Sequence, residues 1–424
     1  MYGDLSPLIL LDNGLKLMLQ HRPDHPGVYI RANVRMGSFD ERLSRDKGIC
    51  NLIERLCWRG NEKMSAKMVI DSSSIGGRLT GGGVGRAFTT YHTWCPTNEI
   101  GHALGLLDNV IFRPRMDADD LELEKRLAIM RIGAEDCDPV SHATQIALTN
   151  LYPKHRVAFG MLGTPETVNN MKVTRMRELV RGAHRPQTIV LGLSGNLPPF
   201  DQLETLLGNY AGGFVEKTRA ANAIPLGREW GDSTPAHSSE ETETWGYRDD
   251  WTTIIIFPVP SNLLNEDGRV MLSIACKLLG DGPTSVLRQK LMASLRTPLA
   301  YDIQADFEWL DDIAWIRIVI RSGGSRGADI AQAANNILTD VLGGRIKDDE
   351  MAAARAAVRA DMMTMSADPE AKLALDMGWL STDTNAWTPD MDIPWIDDIE
   401  SDDIREFLRL LFGINPRSVC NIAR

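Results

Sequence analysis

Residues 116–139 read MDADDLELEKRLAIMRIGAEDCDP, and residues 346–369 read IKDDEMAAARAAVRADMMTMSADP. Each run opens on acidic residues, where the positive end of a helix dipole favours them. Each is closed by an Asp-Pro pair, Asp138-Pro139 and Asp368-Pro369, at an offset of 230 residues. The offset persists: HRPQTIV at 184–190 lies against INPRSVC at 414–420, with Pro186 on Pro416. Upstream, LDNVIF (107–112) matches LTDVLG (338–343) after a slip of one residue. The chain therefore reads as two copies of one fold.

Between the copies, residues 216–244 (EKTRAANAIPLGREWGDSTPAHSSEETET) are polar and broken by Pro225 and Pro235, which is linker composition. The organisation expected is an N-terminal domain over 1–215, a linker over 216–244 and a C-terminal domain over 245–424. Strand-like runs occur at 28–38 (VYIRANVRMGS), 253–259 (TIIIFPV) and 314–322 (AWIRIVIRS). Long amphipathic helices are expected at 119–135, 265–280 and 348–365. Strands and helices segregate rather than alternate strictly, which predicts an α+β class with largely antiparallel sheets.

A chain of 424 residues exceeds one ordinary core, which again predicts at least two domains. No apolar run reaches the roughly 20 residues of a membrane span. The N-terminal MYGDLSPLILLDNG has an acid at Asp4 and no basic segment, so no export signal is read. Six cysteines, Cys50, Cys57, Cys95, Cys137, Cys276 and Cys420, form no CxxC pair, which suits reduced thiols in a cytoplasm. The net charge of −11 argues against a nucleic-acid partner.

Three segments follow in a telling order: DNGLKL (12–17), GSFDE (37–41) and GICNLIERLCWRG (48–60). This order resembles the opening of the M16 (insulinase/pitrilysin) metallopeptidase family, in which an inverted zinc motif H-x-x-E-H follows an NG turn and a GS-x-x-E segment. The glycines at Gly76–Gly81, DCDP at 136–139 and GDGPTSVLRQKLMASLRTPLAYDI at 280–303 extend the resemblance over nearly the whole chain. It implies tandem α/β-roll domains, in keeping with the repeat.

In that family two histidines one helical turn apart bind zinc, the glutamate between them activates metal-bound water, and a glutamate from a later helix completes the set. Carried over, the first histidine falls on Asn51, the glutamate on Glu54 and the second histidine on Arg55. The later glutamate falls near Arg131, with Glu135 one turn away. Asparagine is a poor zinc ligand, and a guanidinium keeps a positive charge that repels a dication. No metal and no cofactor are expected in this chain. Cys50, Glu54 and Cys57, at i, i+4 and i+7, are an alternative thiolate set; the run also reads as buried core, with Glu54 paired to Arg55, Arg59 or Arg131.

The resemblance further implies a two-chain assembly in which a degenerate subunit closes a chamber around a zinc-bearing partner of similar fold. A tyrosine and an arginine of its C-terminal domain would hold peptide substrate. Ser285, Leu287 and the PLAY at 298–301 fit that pattern, which places the tyrosine on Tyr301. The arginine's usual position is Ser294; Arg296 and Arg288 are the available candidates. The expected function is thus a non-catalytic subunit, inactive alone, of a heterodimeric zinc peptidase that processes peptides, including ribosomally made precursors such as that of pyrroloquinoline quinone. The alternative is a structural or binding protein of the same fold with no role in proteolysis.

Other features point nowhere specific. TGGGVGRAF (80–88) lacks the Lys-Ser/Thr of a phosphate loop and is expected to be a turn. His92, His102, His142, His155 and His184 are dispersed, as surface or capping residues would be. The Ala/Met face of 350–365 suits helix packing. The acidic, tryptophan-bearing 387–403 is expected to be a connecting loop and a capped helix.

Overall fold

The computed structural model describes residues 8–61, 64–73, 80–216, 231–246, 250–293, 298–310, 312–323, 327–342, 345–381, 395–413 and 417–423. The class is α+β, with two sheets. The first contains β1 (Leu8–Leu10), β2 (Lys16–His21), β3 (Gly27–Val34), β4 (Gly81–Val84), β5 (Thr89–Pro96) and β6 (Ile189–Gly195) in the order β1-β2-β6-β3-β5-β4. The second contains β7 (Ser239–Thr244), β8 (Asp250–Pro258), β9 (Ala300–Trp309), β10 (Ala314–Gly323) and β11 (Ser418–Ala423) in the order β7-β11-β8-β10-β9.

Without β1, the two orders are one topology. β2 runs parallel to β6 as β7 does to β11, and the remaining neighbours are antiparallel in both sheets. The helices repeat too: Ala118–Asp136 answers to Asp348–Ala367, and Pro139–Leu151 to Pro369–Ser381. The Asp-Pro pairs do more than close the preceding helices. Asp138 accepts the Ser141 N–H and Asp368 the Glu370 N–H, both at 2.8 Å, so each aspartate caps the next helix with proline at its first position.

Contacts divide the chain into two units that do not follow chain order. One comprises Met1–Gly133, Gly160–Glu229 and Met365–Trp387; the other comprises Ala134–Phe159, Trp230–Thr364 and Thr388–Arg424. Of the linker expected over 216–244, residues 217–230 lie outside the described residues, as do Arg296 and 387–394.

Each unit takes one helix encoded in the other half. In the first, Leu17, Leu19, Leu191 and Leu193 face the N-terminal core with helix 49–57. The opposite sheet face presents Met18 and Val190, and helix 369–381 covers it with Leu373, Met377 and Leu380. Gly192 makes the close approach possible: a Cβ there would lie 2.2 Å from Met377 Sδ. Polar contacts fix the seat. Gln20 Nε2 donates to Asp376 Oδ2 at 2.7 Å, Lys372 Nζ lies 3.2 Å from the same oxygen, and Asn33 Nδ2 donates to Ser381 Oγ at 3.0 Å. In the second unit, helix 139–151 packs on β8 and β11, with His142 Nε2 2.9 Å from Glu243 Oε2. The Ala/Met helix 348–367 buries Met351, Ala354, Val358 and Met362, which is core packing.

Among the described residues no helix is long and apolar enough to cross a membrane. The buried Lys372–Asp376 pair should be costly to break from one side. Lys372→Met is expected to cost about 3 kcal/mol, because it removes the cation beside a buried carboxylate. The double variant Lys372→Met/Asp376→Leu should cost less. Urea unfolding curves for both variants check this, and equal midpoints for Lys372→Met and the parent would refute it.

Candidate functional site

The helix Ile49–Cys57 buries Ile49, Leu52, Ile53 and Leu56 in the N-terminal core. Glu41, the last residue of GSFDE, anchors its start. One carboxylate oxygen accepts the Gly48 N–H at 2.9 Å and the other the Cys50 N–H at 3.0 Å. These amides have no partner within the helix, and a carboxylate there also meets the positive end of the dipole. Burial pushes Glu41 up to about 7, against the pull of the two amides and Lys47.

Along this helix opens a cavity of about 1190 Å³, lined on one side by Glu54, Arg55, Trp58 and Arg59. Glu54 is buried, with only 1% of its surface exposed. Its Oε1 accepts the Trp58 indole N–H at 2.9 Å and its Oε2 lies 3.2 Å from Arg55 Nε. Burial raises its pKa, while Arg55, the Trp58 hydrogen bond and Arg131 oppose the rise and Glu124 adds to it. Strand β4 passes directly over the carboxylate. A Cβ on Gly82 would lie 2.6 Å from Glu54 Oε1 and 2.7 Å from the Thr90 carbonyl oxygen. Of the glycine-rich run expected as a turn, residues 81–84 form an edge strand and 85–88 lead on to β5, and Gly82 makes room for the acid beneath.

Helix 118–136 supplies the facing wall with Glu124, Leu127 and Arg131. Glu124 is buried and accepts Arg59 through Nε at 2.7 Å and through Nη2. Arg131 Nη2 reaches only to within 3.7 Å of the other Glu124 oxygen. Glu135 is exposed and does not line the cavity. Tyr29, His92, Trp94 and Glu370 complete the wall. Asn51 is not part of it: its Nδ2 donates to the Met161 carbonyl oxygen at 2.9 Å.

The alternative thiolate set does not converge. Cys50 donates its thiol to the Gly37 carbonyl at 3.2 Å, and Cys57 takes the Tyr91 hydroxyl at 3.4 Å. Burial pushes Cys57 up to about 12 and raises Cys50 well above the ordinary thiol range, so both remain thiols. Among the described residues no group of three or more His, Cys, Asp and Glu side chains could hold a metal. The donors present do not fit zinc. Asn51, Arg55 and Arg131, the positions onto which the resemblance would carry metal ligands, are an amide committed elsewhere and two guanidiniums.

Residues 16–164 match the model of the insulinase family of peptidases, M16. This part of the chain resembles the M16 family. An uncharacterized zinc protease of Mycobacterium leprae is 24% identical over 350 residues, which is 82% of this chain and 76% of that one. A probable mitochondrial-processing peptidase subunit alpha of Schizosaccharomyces pombe is 22% identical over 52% of this chain and 47% of its own length. Among solved structures, a protease from Helicobacter pylori superposes with a TM-score of 0.87 at 15% identity, covering 99% of both chains. A peptidase M16 inactive domain from Pseudomonas fluorescens gives 0.84 at 13% identity, covering 98% and 97%. Both share the fold of this chain.

The second unit carries Tyr301 and Arg288, the other predicted residues described. Tyr301 stands on β9 with 55% of its surface exposed, and its hydroxyl donates to Asp250 Oδ2 at 3.2 Å. Arg288 is turned to the protein: Nη2 donates to the Ile303 carbonyl at 2.9 Å and lies 3.8 Å from Asp302. Of the five histidines, His184 is buried with Nδ1 on the Ile111 carbonyl, and burial lowers it to about 4. His92 lines the cavity. Sequence reasoning missed Trp58, His92 and Glu124, because an unremarkable helix or strand position carries no mark of which cavity it faces.

Glu41 generates a pH test. Its folded pKa of about 7 lies above the ordinary 4.5, so its contribution is fully present below about 4.5 and is lost as pH rises through about 7. That loss is worth about 3 kcal/mol. Glu41→Gln should flatten the fall in unfolding free energy over this window, as measured by denaturant titration at several pH values. An unchanged slope would place the titration elsewhere.

Proposed function

We propose that this chain is the non-catalytic subunit of a heterodimeric M16 zinc peptidase. Its partner would be a zinc-bearing chain of similar fold, and its substrate a peptide or short unfolded precursor, such as a ribosomally made one like that of pyrroloquinoline quinone. The observation that carries this reading is fixed positive charge, Arg55 and Arg131, on the wall of a cavity where the resemblance would place metal ligands. Glu41 still seats the helix and Glu54 still sits beneath β4, yet Arg55 and Arg131 face the cavity. A general base without metal-bound water has nothing to activate. The similarity to a protein described as an inactive M16 domain, and to one described as a subunit, supports the same reading.

Substrate contact would fall on the sheet edges. β4 and β9 are terminal strands in their sheets, and an extended peptide binds such an edge by strand addition. Tyr301 lies on β9 and is exposed, which suits a hydroxyl that meets a polarised carbonyl. Arg288 would support it indirectly, by fastening β9 at Ile303. Arg296, the other candidate, falls among residues not described. The site of action would be the cytoplasm.

The test is peptide hydrolysis and zinc content for this chain alone and mixed with a histidine-bearing M16 chain encoded nearby. The lone chain is expected to be inert and zinc-free, and the mixture to cleave far faster than the partner alone. Tyr301→Phe should lower the rate of the mixture by about tenfold or more. A lone chain that cleaves with one zinc per molecule would overturn the reading. A mixture no faster than the partner would favour a binding protein without a role in proteolysis.

A further inference from the structure

The two helical walls of the cavity beneath β4 carry one more guanidinium than carboxylate. Helices 49–57 and 118–136, with the residues that follow the first, contribute Arg55, Arg59 and Arg131 against Glu54 and Glu124. Arg59 is spent on Glu124, which it meets through two nitrogens. Arg55 gives only its Nε to Glu54, at 3.2 Å, and among the described residues its two terminal amino groups hold no hydrogen bond. Arg131 makes no hydrogen bond among the described residues, and its nearest carboxylate oxygen is 3.7 Å away. Both guanidiniums remain open to a ligand, with 44% and 35% of their side-chain surface exposed. The remaining carboxylate on the wall, Glu370, acts on Arg31 and His92 instead.

We infer that Arg55 and Arg131 form a carboxylate-binding subsite for an extended peptide. It rests on the reading of this chain as a peptide-binding M16 subunit and names the feature that its N-terminal unit recognises. Glu370 is a third carboxylate on the wall, so the selection rests on geometry: Arg55 and Arg131 line one cavity, and their terminal nitrogens hold no hydrogen bond among the described residues. Planar guanidinium forks match a carboxylate in shape, and such charge-assisted pairs are the stronger hydrogen bonds. The rest of the wall suits a peptide. Tyr29, Trp58, Trp94 and Leu127 offer apolar surface, and Gly81 and Gly82 belong to the edge strand on which an extended chain would lie. The carboxylate could be a peptide's C-terminus or an internal Asp or Glu.

The test is fluorescence anisotropy of labelled ten-residue peptides with the purified full-length chain, without any partner. Four peptides separate the sources: free or amidated at the C-terminus, each with an internal Asp or Asn. A peptide with a carboxylate should bind about tenfold or more tighter than the amidated Asn peptide. Sensitivity to amidation alone assigns the subsite to chain termini; sensitivity to Asp→Asn alone assigns it to acidic residues. Both outcomes support it. Arg131→Gln should remove the preference at an unchanged melting temperature, and Arg55→Gln should repeat the result. Arg131→Lys should restore part of it. Equal binding of all four peptides, or a preference that survives both glutamine variants, would overturn the inference. Stimulation of a partner's hydrolysis can succeed while this preference is absent, or fail while it is present, so the two readings are judged separately.

Discussion

A sheet with apolar side chains on both faces needs two covers, and most of this structure follows from how the second is supplied. Strand β6 is buried along its whole length, as are most of β8 and all of β11. Helices of the same half cover one face. The other takes a helix from the opposite half: 369–381 on the first sheet and 139–151 on the second. On the first sheet the exchanged helix brings polar anchors that register it, because Gln20, Asn33 and the Lys372–Asp376 pair satisfy one another only in one seat. Because that cover is fixed, the opposite face can hold helix 49–57 against β4, and the cavity acquires its wall.

On the proposed reading, the site is a scaffold that has outlived its chemistry. Packing constrains the apolar face of helix 49–57 and the glycine above Glu54, while nothing in the core constrains the residues that would touch a metal. On that reading, replacement of ligands by arginine does not leave a void. It forces a new electrostatic solution, in which Glu54 takes Arg55 and Glu124 takes Arg59. A guanidinium in such a place cannot shed its charge as a histidine would, so neutrality must come from neighbours or from a ligand.

Much of this was legible in the sequence, and the failures are instructive. The constant offset between the halves announces one topology used twice, because helix and strand positions along both copies obey the same burial pattern. The exchange of helices is invisible for a related reason: an amphipathic pattern says that a face is buried and not against what. The Asp-Pro pairs read as helix ends and serve as starts, because a four-atom side chain caps whichever helix follows it. The run TGGGVGRAF reads as a turn, since glycine is a poor strand former; the use of 81–84 as a strand reflects the carboxylate below, which only the fold brings there. Arg55 and Arg131 were found by position, and the structure brings both to one cavity. Asn51 was found by the same logic and turns away to Met161.

The exchanged helices also bear on how the protein is made. All strands of the first sheet have been synthesised once residue 195 leaves the ribosome, yet the cover for Met18 and Val190 lies in residues 369–381. At about 5–20 residues per second, that face waits on the order of ten seconds or more. During this interval a sheet with an apolar side and an open edge is present on the nascent chain, the kind of surface that chaperones bind and that aggregates when crowded. Folding of the first half is thus completed by the second, and the two halves mature as a single event.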